Sequence, residues 1–223
     1  MIYYIIFVLP AVLFALFAQI HVSTTFKKFS KVASERGMTG ADGARLVLGT
    51  CGLNGQVPIE RVTGELTDHY DPKANVIRLS AGVYDARSAA AVGVAAHEAG
   101  HAAQYAGNYA PIRLRAAIIP VTKVGSYLSF PLICLGIFLS FEPLIKIGIV
   151  LFAFAVLFQL LTLPVELNAS RRAVGALTSA GLSEEAVKAA KKVLVAAALT
   201  YVAALAVSIG NLIRLLLLAN RRR

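Results

Sequence analysis

A mainly α-helical membrane protein, with a small β-sheet and three to four transmembrane helices, is the fold class this 223-residue sequence predicts, and three observations carry it. Hydrophobic residues make up 57% of the chain and charged residues only 15%. Soluble domains carry about a quarter charged residues, so too little polar surface is left to wrap a globule of this size in water. Several apolar runs are long enough to cross a hydrocarbon core, and the longest polar stretch between them carries strand and turn signals.

Residues 1–21 read as a transmembrane anchor, because Ile2 to Ile20 is almost unbroken apolar sequence. No basic residue precedes the run, as a cleaved signal would require. Lys27, Lys28, Lys31 and Arg36 follow it closely. By the positive-inside rule they place the N-terminus outside and residues 22–116 in the cytoplasm. Within that portion, Thr39 to Asp42 supply helix-start chemistry for a helix over 43–50, closed by a glycine-rich turn at Gly52 to Gly55. A short strand is predicted over 57–62. Asp71-Pro72-Lys73-Ala74-Asn75 is turn chemistry leading into a second strand, Val76 to Leu79, which we expect to be an exposed edge able to pair with an extended peptide. Ser88 to Ala106 has the alanines and lack of proline of a buried helix, with Gly107 and Asn108 as stop signals.

Residues 117–163 read as a transmembrane hairpin, two apolar runs parted by Glu142-Pro143 with the tip outside. Residues 164–192 are polar again, on the same side as His97, and Ser183-Glu184-Glu185 starts a helix there. Residues 193–223 form a C-terminal membrane-associated helix and basic tail. A full crossing would carry Arg221, Arg222 and Arg223 outside against the charge rule, so a break at Gly210, Asn211 or Arg214 is the alternative.

The net charge of +10 does not signal nucleic-acid binding, because the basic residues are dispersed or flank apolar runs without interleaved aromatics. Cys51 and Cys134 are too few and too far apart for a disulfide framework or a cysteine metal site.

His97-Glu98-Ala99-Gly100-His101 is an H-E-x-x-H pattern on the predicted helix. Histidines four apart share one helix face, so both imidazoles can reach a single tetrahedral Zn²⁺ while Glu98 points at the open position. Zinc lowers the pKa of its water to about 7, and a neighbouring carboxylate can take that proton and hand it to a leaving amine. Such a centre needs a third protein ligand. His21, His69 and Glu166 are the candidates. Glu166 is the best placed, since a carboxylate just beyond a returning membrane helix needs a cation to be tolerated in a buried site.

Together with Asp71-Pro72-x-x-Asn75-Val76-Ile77-x-Leu79-Ser80 and Leu163-Pro164-Val165-Glu166-Leu167-Asn168-Ala169-Ser170-Arg171-Arg172-Ala173, the motif resembles the YugP-like neutral zinc metallopeptidase family of bacterial membrane proteins over nearly the whole chain. More distantly it is similar to the HtpX-like and CAAX prenyl membrane metallopeptidases. The resemblance implies a gluzincin-like zinc-peptidase core, with His97, His101 and Glu166 as ligands and Glu98 as general base. Those distant relatives carry an aspartate four residues after the ligand glutamate, where this chain has Ser170. The outer hydrogen bond to a ligating histidine is therefore expected from elsewhere.

The expectation is a multi-pass cell-membrane zinc endopeptidase with one Zn²⁺ per chain and its active site facing the cytoplasm. Its partners would be the lipid bilayer and a peptide or membrane-protein substrate, with no nucleic acid. The alternative is a membrane scaffold or binding protein with a structural or degenerate zinc site. Tyr70, His69, Tyr105 and Tyr109 all stand near the motif as oxyanion donors, and the sequence does not choose among them or fix the oligomeric state.

Overall fold

The computed structural model describes residues 1–220, so the expectation for Arg221, Arg222 and Arg223 falls outside the described residues. Its elements run in the order α1 (Leu9–Phe29), α2 (Gly40–Thr50), β1 (Ile59–Val62), β2 (His69–Asp71), β3 (Val76–Ser80), α3 (Ala81–Tyr84), α4 (Ala89–Ala106), α5 (Ala110–Phe138), α6 (Glu142–Ser179) and α7 (Glu184–Asn220). A π-helical turn, Tyr4–Val8, leads into α1. Among the described residues, four helices are long and apolar enough to cross a membrane: Tyr4–Phe29, Ala110–Phe138, Glu142–Ser179 and Glu184–Asn220.

The chain forms two compact units. One comprises Met1–Gln19, Ala110–Pro164 and the chain from Leu199 on. Large apolar side chains such as Tyr127, Phe130 and Phe138 point outward from it, as lipid-facing surfaces do. Its inner contacts rest on small residues that let backbones approach. Gly148 lies against the carbonyl of Ser129, and Gly210 lies so close to the carbonyl of Phe7 that a Cβ there would overlap it. The alternative of a break at Gly210, Asn211 or Arg214 is not realised: α7 is unbroken there, and Gly210 is one of its contact points. Glu142 and Pro143 likewise open α6, where proline is tolerated in the first turn, and the chain reverses at Leu139–Phe141 through Ser140 in the left-handed region (φ 52°).

The other unit comprises Ile20–Tyr109 and Val165–Ala198. Helix α2 starts with a reciprocal capping box, the Thr39 hydroxyl accepting from the Asp42 N–H and the Asp42 carboxylate accepting from the Thr39 N–H. Helix α4 is capped by Ser88, whose hydroxyl accepts from the Ala91 N–H. It is buried nearly all round, which only small side chains permit among close neighbours. Val47, Ile77, Leu79, Ala95, Ala99 and Leu177 build the core around it.

The sheet corrects one expectation. Its order is β1-β3-β2, with β3 parallel to β1 and antiparallel to β2, so Val76 to Leu79 forms the central strand and offers no free edge. Both faces of β3 are buried apart from Arg78, which ion-pairs with Asp71 at 2.6 Å and Glu60 at 3.3 Å, one carboxylate from each flanking strand. The turn between β2 and β3 is the one the sequence predicts. Asp71 accepts from the N–H groups of Lys73 and Ala74, and Asn75 takes the left-handed conformation (φ 51°).

Candidate metal centre

The site is set by how closely α4 approaches the part of α6 that belongs to the same unit. A Cβ built on Gly100 would lie 2.5 Å from the carbonyl oxygen of Ala169, so glycine is required at this crossing. His97 and His101 flank Gly100 on α4, and Glu166 and Ser170 flank Ala169 on α6. The helix contact thus delivers two imidazoles and a carboxylate to one point. His97 Nε2 lies 3.1 Å and His101 Nε2 3.5 Å from the same Glu166 oxygen. The ligand atoms of His97, His101 and Glu166 all lie within 4.8 Å of one another. His21, on α1, and His69, on β2 with its Nδ1 against the Thr67 carbonyl, do not join this group.

The donor set fits zinc. Two imidazole nitrogens and one carboxylate oxygen are borderline ligands that Zn²⁺ takes readily, leaving a fourth tetrahedral position for water or substrate. Glu166 is only 3% exposed, and a carboxylate buried so deeply calls for a cation or strong donors around it. Each imidazole turns its Nε2 toward the centre and its Nδ1 toward an outer polar partner. His97 Nδ1 is 3.0 Å from the Ser170 hydroxyl, and His101 Nδ1 is 3.0 Å from Gln104 Oε1. Burial pushes the His101 imidazole toward a lower pKa, but hydrogen bonding to Glu166, the Glu98 and Glu166 carboxylates and the Gln104 contact outweigh it, so its net shift is upward.

The outer hydrogen bond to a ligating histidine was expected from a residue other than Ser170: that holds for His101, which meets Gln104, but for His97 the contact at Ser170 corrects it. Serine has a shorter reach than aspartate, and the close α4–α6 crossing supplies the difference. Glu98 is 9% exposed, and one of its oxygens accepts the backbone N–H of Tyr70 at 3.0 Å. Tyr70 therefore meets the site through its main chain, while its hydroxyl donates to Asn75 and its ring packs on Tyr105 at 5.5 Å. Burial, with Tyr105 and Asp71 nearby, holds the Tyr70 phenol above its ordinary pKa.

Sequence reasoning missed Gln104 and the strand β2. A lone glutamine three residues after His101 in an alanine-rich helix was the available signal, because a polar group buried there has to be satisfied.

Among the described residues, this group of possible metal ligands occurs together with four helices of membrane-spanning length, the combination of a membrane-bound metallopeptidase class. The chain belongs to the family described as "Putative neutral zinc metallopeptidase", whose model matches residues 4–220. It is 45% identical over 218 residues to the "Putative membrane protease YugP" of Bacillus subtilis (strain 168), with 96% of each chain covered. No solved structure matches it.

Proposed function

We propose that the chain is a membrane-embedded zinc endopeptidase holding one zinc through His97, His101 and Glu166, with Glu98 as general base. The observation that carries this reading is the convergence of both Nε2 atoms on one oxygen of a buried glutamate, beside a second carboxylate that is not part of that group. Zinc in that position supplies Lewis acidity to a scissile carbonyl and its attacking water. Glu98 takes a proton from that water and later gives it to the leaving amine. The Tyr70 N–H occupies one Glu98 oxygen and leaves the other for this work. The small residues around the motif, Ala95, Ala96 and Ala99, keep the surroundings apolar and strengthen every charge interaction within.

The substrate class is a peptide or membrane protein, and the site faces the cytoplasm. Support for the sidedness comes from Lys27, Lys28, Lys31 and Arg36 after the first apolar run, and from Glu166 lying just past the apolar run that ends at Leu163. The deciding experiment measures zinc content and quenched-peptide cleavage in the native chain, Glu98→Gln and Glu166→Ala. Glu98→Gln is expected to keep zinc and lose cleavage, and Glu166→Ala to lose zinc. A Glu98→Gln protein as depleted of zinc as His97→Ala would overturn the assigned roles, and zinc held by four protein ligands would favour a structural centre.

A further inference from the structure

Gln104 is fully buried, yet none of its polar atoms is idle. Its Nε2 donates to the Val165 carbonyl at 2.8 Å and to Asn168 Oδ1 at 3.0 Å. A backbone carbonyl can only accept, so the amide has one allowed orientation, with Oε1 turned to His101 Nδ1 at 3.0 Å. An amide oxygen can only accept as well, so His101 carries a proton on Nδ1, and in the neutral ring its Nε2 lone pair faces Glu166. Asn168 is oriented in turn. Its Oδ1 also accepts Arg172 Nε at 2.8 Å, and the Arg172 guanidinium lies over the Tyr109 ring at 5.8 Å. A chain of fixed donors thus runs from Arg172 through Asn168 and Gln104 to His101, entirely between α4 and α6.

We infer that Gln104, held by Asn168 and Arg172, is a positioning residue that fixes the tautomer and ring orientation of His101 so that its Nε2 is ready for a metal ion. This rests on the proposed zinc site and adds to it a dependence on a residue that is not a ligand. It also assigns a task to the segment after Glu166: Glu166 and Ser170 serve the centre directly, and Asn168 and Arg172 act through Gln104.

The test compares zinc affinity, measured by competition with a chromophoric chelator, in the full-length native chain, Gln104→Met and Gln104→Glu. Co²⁺ absorption is recorded in parallel as a readout of ligand geometry. Methionine keeps the volume but removes the acceptor, and zinc affinity is expected to fall about 10–100-fold, with altered Co²⁺ d–d bands. Gln104→Glu in its protonated form can donate to Val165 and accept from His101, and should bind zinc at least tenfold more tightly than Gln104→Met. A residue needed only for packing predicts the reverse order, since glutamate sets an acidic group against two acceptors. Folded Gln104→Met with native affinity and native Co²⁺ bands overturns the inference. Should Gln104→Met not fold, ring-nitrogen chemical shifts of His101 in the metal-free native chain read the tautomer directly, and a neutral ring protonated on Nε2 instead of Nδ1 overturns the inference. Failure of the native chain itself to bind zinc would instead overturn the metal centre.

Discussion

Replacing Gly100 by alanine adds one methyl group where the structure has no room for it. The new Cβ would sit 2.5 Å from the Ala169 carbonyl oxygen, about 0.9 Å short of ordinary van der Waals contact. The obstacle is backbone, not the end of a mobile side chain, so α4 and α6 must part or slide. Overpacking of this kind costs roughly 1–3 kcal/mol, while alanine in a helix regains about 0.8–1.0 kcal/mol over glycine. The metal-free protein should therefore lose at most about 2 kcal/mol. Metal binding is less forgiving, because ligand distances tolerate only about ±0.2 Å, and His97 and His101 sit on one side of the displaced contact with Glu166 on the other. We expect zinc affinity to fall at least about tenfold, out of proportion to the change in stability. Chelator competition reads the affinity, and denaturation of the metal-free protein reads the stability. Gly175→Ala on α6 is the control: nothing lies within 4 Å of its added Cβ, so it should stabilise by up to about 1 kcal/mol and leave zinc binding unchanged. A folded Gly100→Ala protein that binds zinc like the native chain would refute the claim that this crossing sets the site.

Ser170→Ala removes the hydroxyl that meets His97 Nδ1 and should weaken zinc binding about 10–100-fold by the same titration; no change would show the contact to be incidental. Asp71 is held down to about 2, first by its hydrogen bond to Arg78 and then by the Ala74 and Lys73 N–H groups. Because that folded value lies below the unfolded one near 3.9, the stability it contributes is complete above about pH 5 and is lost as pH falls through about 2. Asp71→Asn should therefore be less stable than the native chain at neutral pH and converge with it near pH 2 in acid denaturation, whereas a constant gap would contradict the assignment. Cys51 is exposed, so in intact cells an impermeant thiol reagent should reach it only after permeabilisation; equal labelling in both conditions would reverse the proposed sidedness.

Much of the site was legible because its signals are local. The Ser88 cap and the stop at Gly107 bound the motif helix within one residue of its observed ends, and histidine spacing on a helix leaves little freedom. What escaped depends on contacts between distant segments. Strand β2 is three residues long, too short for any alternation to register, and without it β3 reads as an edge. Gly210 is a breaker by propensity, but close approach to the Phe7 backbone makes glycine the residue the contact demands. Ser170 read as a departure from the aspartate of distant relatives, and only the packing of α4 on α6 brings its hydroxyl within 3.0 Å of His97 Nδ1.

The tether between Tyr70 and Glu98 has a consequence for how this site can vary. The donor is a peptide N–H, so nearly any side chain at position 70 leaves it in place, and only proline deletes it. Mutational sensitivity is thereby moved off the residue that makes the contact and onto those that hold β2 in register. Asp68 grips the Ser80 N–H at 2.8 Å, and Asp71 grips Arg78 at 2.6 Å. A slip of one residue along β3 would present the opposite side of the strand to Glu98, where the N–H belongs to the sheet. Drift at position 70 would thus pass unnoticed by the chemistry, while changes at the two aspartates, neither of which belongs to the metal cluster, would disarm it.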